Sequence, residues 1–266
     1  MSLVTGFIRR DFRLERSYRL AFFAQMFGVL TTLLSAGFLS RIVPSGQESL
    51  RPYGSDYFTF ILVGTAALNF FTIALGSFSS SLGQEQSSGT LESLLVSPND
   101  PRVLLLCGAA WPFVFSTLQL IAYVLLGALL FGAEMAPGHL LLAGVGAVMT
   151  LTAVSAVGLL VAGVILLTKR AGGLLTLIGA AFALLGGVLY PITVLPRWLQ
   201  LVAEVLPVSH GLSAIRLALV PDADLAAIGR HLAVLAIFAM VLVPIGLQSF
   251  AWAVRRARRA GTLMQH

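Results

Sequence analysis

The sequence predicts an all-α integral membrane protein. It has six transmembrane helices, an N-terminal interfacial helix, a short cytoplasmic amphipathic helix and an outer re-entrant hairpin. Three observations predict it. The 266 residues are 58% hydrophobic and only 11% charged, against about 25% charged in soluble domains, and the mean hydropathy is +0.93. The apolar residues fall into runs without charge, each long enough for the ~20 residues that cross a bilayer. The 17 Lys and Arg residues are unevenly placed. This composition excludes a disordered chain and a soluble enzyme with one buried core.

The whole chain, 1–266, reads as one membrane domain. Residues 1–19 put Leu3, Val4, Phe7, Leu14 and Tyr18 on one helical arc, with Arg9, Arg13 and Arg16 opposite. That is the pattern of a helix lying on the inner leaflet. Asp11 and Glu15 interrupt the arc, and a solvated basic arm fits the same charges. Spans follow at 20–42, 57–82, 103–131, 139–168, 171–190 and 231–254. The third and fourth runs exceed the bilayer's need, so tilt or protruding ends are expected. Stretches apolar on every face exclude a β-barrel, whose strands alternate. Asp11 and Glu15 ahead of a span-length first run argue against a cleavable signal peptide.

With six spans both termini share a side. That side carries Arg9, Arg10, Arg13, Arg16, Arg19, Arg102, Lys169, Arg170, Arg255, Arg256, Arg258 and Arg259. The other carries Arg41, Arg51, Arg197, Arg216 and Arg230. Positive charge marks the cytoplasm, so both termini are expected inside. Against this setting the net charge of +6 is no argument for a nucleic-acid partner.

Between the second and third spans, Thr90 is a plausible N-cap and Glu92 suits the positive end of a helix. Leu91, Leu94 and Leu95 form an apolar ridge, and Pro98 stops the helix, which gives a helix at 90–97. Two turns are unstable alone in water. The ridge therefore docks, either on the chain's own spans or on a partner. The loop is acidic, with Glu85, Glu92 and Asp100 against Arg102 alone, which speaks for a protein rather than a lipid surface. On the outer side, Pro191, Pro196 and Pro207 divide 191–207 into short pieces, and Trp198 suits a membrane interface.

Polar seams mark the spans. The second carries Thr65, Asn69, Thr72, Gly76 and Ser79 on one stripe, and the first carries Gln25, Gly28, Thr32 and Ser35. Such stripes face protein or a cavity; static helix packing and a lined path both fit. The fifth span has small residues at Gly172, Thr176, Gly179, Ala183 and Gly186, which suits close helix packing. Phe58, Phe70 and Phe71 are candidates for an aromatic channel wall or for plain core.

The sequence lacks the parts of several chemistries. Cys107 is the lone cysteine, and His139, His210, His231 and His266 match no metal spacing. No carboxylate or base sits mid-span for ion coupling. The single lysine, Lys169, is followed by Arg170, so a phosphate-binding loop ending in Gly-Lys-Ser/Thr is excluded.

Glu85–Pro98, read as E-x-x-S-G-T-L-E-S-L-L-V-S-P, resembles the cytoplasmic signature of type-two ATP-binding-cassette exporter permeases. Tyr190–Pro207, Y-P-I-T-V-L-P-x-W-L-Q-x-x-x-x-x-L-P, resembles their outer hairpin. The resemblance spans essentially the whole chain. It departs at Asp100, Pro101 and Arg102, where relatives have a more basic loop end. The resemblance implies that Glu85, Gly89, Thr90, Leu91, Glu92, Leu94, Leu95 and Pro98 form a coupling helix that enters a groove on an ATPase subunit. It implies two permease chains, a homodimer rather than a heterodimer, and two ATPase subunits that hold ATP and Mg. This chain itself would hold no cofactor and no metal. The expected setting is the cytoplasmic membrane of a prokaryote, with lipid around the spans. Gln25, Thr32, Thr65, Asn69 and Thr72 become candidates for the path of an amphipathic cargo (drug, lipid or lipid-linked glycan). The competing class is a stand-alone facilitator or lipid-modifying membrane protein without an ATPase.

Overall fold

The computed structural model describes residues 19–42, 48–53, 56–87, 101–131, 139–168, 172–220 and 224–260, with Gly6, Arg9, Arg10, Phe12 and Arg13 near the start. These five positions have helical backbone. The described elements are helices: α1 (Arg19–Ile42), α2 (Tyr57–Ser87), α3 (Pro101–Gly108), α4 (Ala110–Phe131), α5 (Leu140–Thr168), α6 (Gly172–Leu185), α7 (Arg197–Glu204), α8 (Pro207–Ala218) and α9 (Leu225–Ala260). Short 3₁₀ turns lie at Glu48–Tyr53 and Ile192–Val194. Five helices, α1, α2, α4, α5 and α9, are long and apolar enough to cross a membrane. This is an all-α integral membrane protein.

Local chemistry sets the helix ends. The Asp56 carboxylate accepts from the Phe58 and Thr59 amides at 3.1 and 3.0 Å, which caps the start of α2. Asp224 caps α9 through the Ala226 amide at 2.9 Å. Pro207 stands in the first turn of α8, where its missing N–H costs nothing.

The expected fifth span is shorter as a helix than 171–190. α6 has 14 residues, about 21 Å at 1.5 Å per residue. It ends at Gly186 and Gly187, and Gly187 takes a φ of 74°, a left-handed turn that suits glycine. The chain then runs through the 3₁₀ turn into α7 and α8, which meet at 88°. Gln200 Nε2 donates to the Leu195 carbonyl at 2.7 Å and holds this hairpin together.

α2 and α5 form the centre. Phe78 and Leu82 of α2 pack with Leu159, Ala162 and Ile165 of α5 and with Phe250 and Ala253 of α9. Phe71, Ala74 and Leu75 of α2 pack with Val154 of α5 and Leu212 of α8. The crossing of α2 and α5 is close because Gly158 faces the Leu75 carbonyl, where a Cβ has no room. Val29, Leu33 and Ala36 of α1 cover Ile61, Leu62 and Ala66 of α2, with Tyr123 of α4. The outward faces of α1, α4 and α9 are apolar: Phe23, Phe27, Leu125, Leu129, Ile237 and Met240 are all exposed. A surface of that kind belongs in lipid or against another membrane chain.

The small-residue seam of α6 is largely open within the chain. A Cβ at Gly179 would meet nothing within 4 Å, whereas Gly186 packs against Val208.

Candidate functional site

The polar faces of α1 and α2 meet a third helix, α4. Between them lies a pocket of about 560 Å³, lined by Gln25, Gly28, Val29 and Thr32 of α1, by Asn69, Thr72 and Ile73 of α2, and by Trp111, Pro112, Phe115, Gln119 and Tyr123 of α4. Four of the five residues expected to mark a cargo path, Gln25, Thr32, Asn69 and Thr72, line this one pocket. Asn69 stands 12 residues into the 31-residue α2, about 18 Å along its axis, within the part of the helix that is apolar enough to span a membrane. Among the described residues that line it, none is charged.

Thr65 is placed differently. It is half-buried, and its hydroxyl donates back to the Ile61 and Leu62 carbonyls at 2.8 and 3.1 Å. Thr65, one helical turn before Asn69, is not among the described residues that line the pocket. Phe58, Phe70 and Phe71 are core residues, at most 6% exposed. The aromatic wall comes instead from α4, where Trp111, Phe115, Gln119 and Tyr123 recur every four residues. That spacing is legible in the sequence as one helix ridge.

Within the pocket, Gln119 Nε2 and Gln25 Oε1 lie 3.4 Å apart, while Gln119 Oε1 is buried without a hydrogen-bond partner. Trp111 contacts Phe115, with ring centroids 6.3 Å apart, and Phe12 of the N-terminal segment, at 5.5 Å.

A second polar feature lies at the end of the bundle where α2 begins. Arg216 of α8 is 6% exposed. Its Nη1 donates to the Gly187 carbonyl at 2.6 Å, and its Nη2 donates to the Phe60 and Val188 carbonyls at 2.9 and 2.8 Å. The guanidinium carbon stands 3.4 Å from the Phe60 ring centroid, a cation–π contact. One side chain thus ties α2, the break after α6, and α8 together. By sequence position alone Arg216 is one of the five outer positive charges. The signal available was its place inside an apolar helix, where a lone arginine must find acceptors.

Pro191 is buried, Pro196 precedes α7, Trp198 is 66% exposed on α7, and Pro207 is buried at the start of α8. Glu85 lies in the last turn of α2. Gly89, Thr90, Leu91, Glu92, Leu94, Leu95 and Pro98 lie outside the described residues.

A family model described as ABC-2 type transporter matches residues 4–220. The chain belongs to the ABC-2 type transporter family. The match takes in the pocket helices, the expected coupling segment, the hairpin and Arg216, and so most of the chain. No curated protein matches. This ABC-2 chain is a multi-pass membrane permease component. It agrees with the resemblance drawn from Glu85–Pro98 and Tyr190–Pro207.

Proposed function

We propose that this ABC-2 chain is the membrane subunit of an exporter that moves an amphipathic cargo outward across the cytoplasmic membrane of a prokaryote. Two copies pair as a homodimer, and two separate ATPase subunits hold ATP and Mg. Closure of the ATPases pushes the segment Thr90–Pro98 and rocks the two permease chains apart. The termini lie in the cytoplasm, as the arginine distribution favours.

The observation that carries this reading is the pocket. It joins the polar residues of α1 and α2 at mid-depth in a helix bundle whose outward faces are apolar. Amides and hydroxyls at that depth are retained against the cost of removing them from water. Their role follows from what they can bind: uncharged polar groups attached to apolar ones, rather than ions. Asn69 and Thr72 are exposed on α2, so a cargo can reach them without unpacking the core.

Asn69→Leu tests the path. A packing seam tolerates this change, because hydrogen bonds between membrane helices contribute only about 0.6 kcal/mol on average. A path does not: transport rate or cargo preference should change at least several-fold while expression and oligomeric state stay constant. Unchanged transport of all tested cargoes by Asn69→Leu and Thr72→Val would move the path away from this face.

A further inference from the structure

We propose that the C-terminal end of α9 binds an anionic phospholipid of the leaflet that holds the C-terminus, with Arg255, Arg256 and Arg259 around its phosphate and Trp252 beside its glycerol backbone. This site rests on the membrane fold and not on the exporter reading above.

The first argument is level. α5 and α9 run parallel, since Gly246 approaches the Ala156 carbonyl and Gly163 packs on Phe250 and Ala253. The two helices are offset by about 90 positions, so Thr168, where α5 ends, stands level with about position 258. Ala257 still belongs to the core that α9 shares with α5. The arginines therefore flank the end of the apolar bundle. Trp252 stands one to two turns inside that level, at the interfacial depth that tryptophan favours.

The second argument is the face. Phe250, Ala253, Val254 and Ala257 are buried. Ile237, Val241 and Ile245 form an exposed apolar ridge at a spacing of four. Beyond them Trp252, Arg255, Arg256 and Arg259 are exposed. At 100° per residue all seven exposed positions fall within an arc of about 100°. One outward line of the helix thus passes from aliphatic to indole to guanidinium. The inside rule accounts for the number of positive charges. It does not place them on the arc that continues the lipid-facing ridge.

The third argument is charge. α9 contains no Asp or Glu, and the sequence has none after Asp224. Among the described residues, no carboxylate pairs with Arg255, Arg256 or Arg259. The Arg256 guanidinium stands over the Trp252 ring, 5.4 Å from its centroid, which holds it along the ridge. Arg255 and Arg259 are four apart, so their like charges meet on adjacent turns. A phosphodiester relieves that repulsion, because its two free oxygens accept from two guanidinium forks at once. A zwitterionic head brings its own ammonium into the same field and gains less. The acyl chains of the bound molecule then lie along Ile237, Val241 and Ile245, which commits the occupant to a lipid rather than to free phosphate or an acidic protein surface.

The test uses the full chain in phosphatidylcholine nanodiscs. Of three tryptophans, Trp111 and Trp198 are replaced by phenylalanine, so that Trp252 alone reports. Phosphatidylglycerol or phosphatidylcholine with dibrominated acyl chains is added as a minor component, and quenching of Trp252 gives the relative affinity of the two lipids. At about 1 kcal/mol per arginine near the surface, the brominated phosphatidylglycerol should bind at least about fivefold more tightly, with the preference shrinking as salt is raised. Arg255→Gln combined with Arg259→Gln should lower the preference at least about threefold; both side chains are exposed, so the fold is kept. Arg258→Gln, which removes the same charge from a position off the arc, should leave most of it. Equal quenching by the two lipids overturns the proposal. So does an equal loss in Arg258→Gln and in Arg255→Gln alone, which marks a diffuse charge field rather than a ridge. Displacement of the brominated lipid by inorganic phosphate assigns the site to a free anion and overturns the lipid reading as well. Loss of ATPase association in Arg255→Gln/Arg259→Gln, with no lipid preference in the parent, gives the ridge to a protein partner instead.

Discussion

Replacing Gly64 by alanine probes the buried arginine through the space it needs. Gly64 lies one turn beyond Phe60 on α2, and a Cβ there would occupy space held by the Val188 carbonyl oxygen and by Nη2 of Arg216. Nη2 is the atom that bonds both Phe60 and Val188. The obstacle on one side is backbone, so the helix or the hairpin must shift and these two hydrogen bonds lengthen or break. Hydrogen bonds to charged groups contribute about 1.5–3 kcal/mol each, which makes the loss about 3–6 kcal/mol. Alanine's better helix propensity returns about 1 kcal/mol. The net expectation is a destabilisation of about 2–5 kcal/mol. Gly76→Ala on the same helix is the control, because a Cβ there would meet nothing within 4 Å; it should be neutral or stabilising by up to about 1 kcal/mol. The assay is reversible unfolding of the purified chain in mixed micelles of mild detergent and SDS, followed by tryptophan fluorescence. If Gly64→Ala and Gly76→Ala unfold within about 0.5 kcal/mol of each other, the Arg216 tie does not hold the hairpin to α2 as described.

Three other outcomes follow. Glu92→Arg or Leu94→Asp should lower ATPase association and transport together while the permease stays folded, since charge reversal at a docked interface costs several kcal/mol; normal ATPase occupancy with normal transport would place docking elsewhere. Cysteines introduced at Ser87 and Gln265, in a Cys107→Ala background, should label only from the cytoplasm, and one at Gln47 only from outside. Labelling of Gln47 and Ser87 from the same side would refute the arrangement of the first two spans. Gly158→Ala should destabilise the chain by at least about 2 kcal/mol in the same unfolding assay, because its Cβ would press on the Leu75 backbone at the α2–α5 crossing.

The helical membrane fold was legible because hydropathy and length carry it. Runs such as Leu140–Thr168 are apolar on every side and longer than a bilayer needs, which fits a span packed among other spans. The polar stripe on α2 was legible as a period, yet of its members Asn69 and Thr72 line the pocket and Thr65 does not. Sequence spacing gives a helix face but not which neighbour covers it. The contribution of α4 was also periodic, through Trp111, Phe115, Gln119 and Tyr123, and needed a reading of that helix for ridges rather than for hydropathy. Arg216 was not legible as a tie, because its acceptors are backbone carbonyls at positions 60, 187 and 188, and carbonyls carry no sequence signature. The short α6 was foreshadowed by Gly186 and Gly187, whose pairing marks a break.

Energy-coupled transport by two chains of this permease is the claim on which the rest depends. It is tested most directly by reconstituting the chain into liposomes with and without an ATPase subunit purified in complex with it. Uptake of a fluorescent, uncharged amphiphile into inverted vesicles is then followed. The account predicts uptake only when the ATPase, ATP and Mg are all present on the outer face of those vesicles, and loss of uptake with Glu92→Arg. Equal uptake by the chain alone, without ATP, would contradict it and identify a facilitator instead.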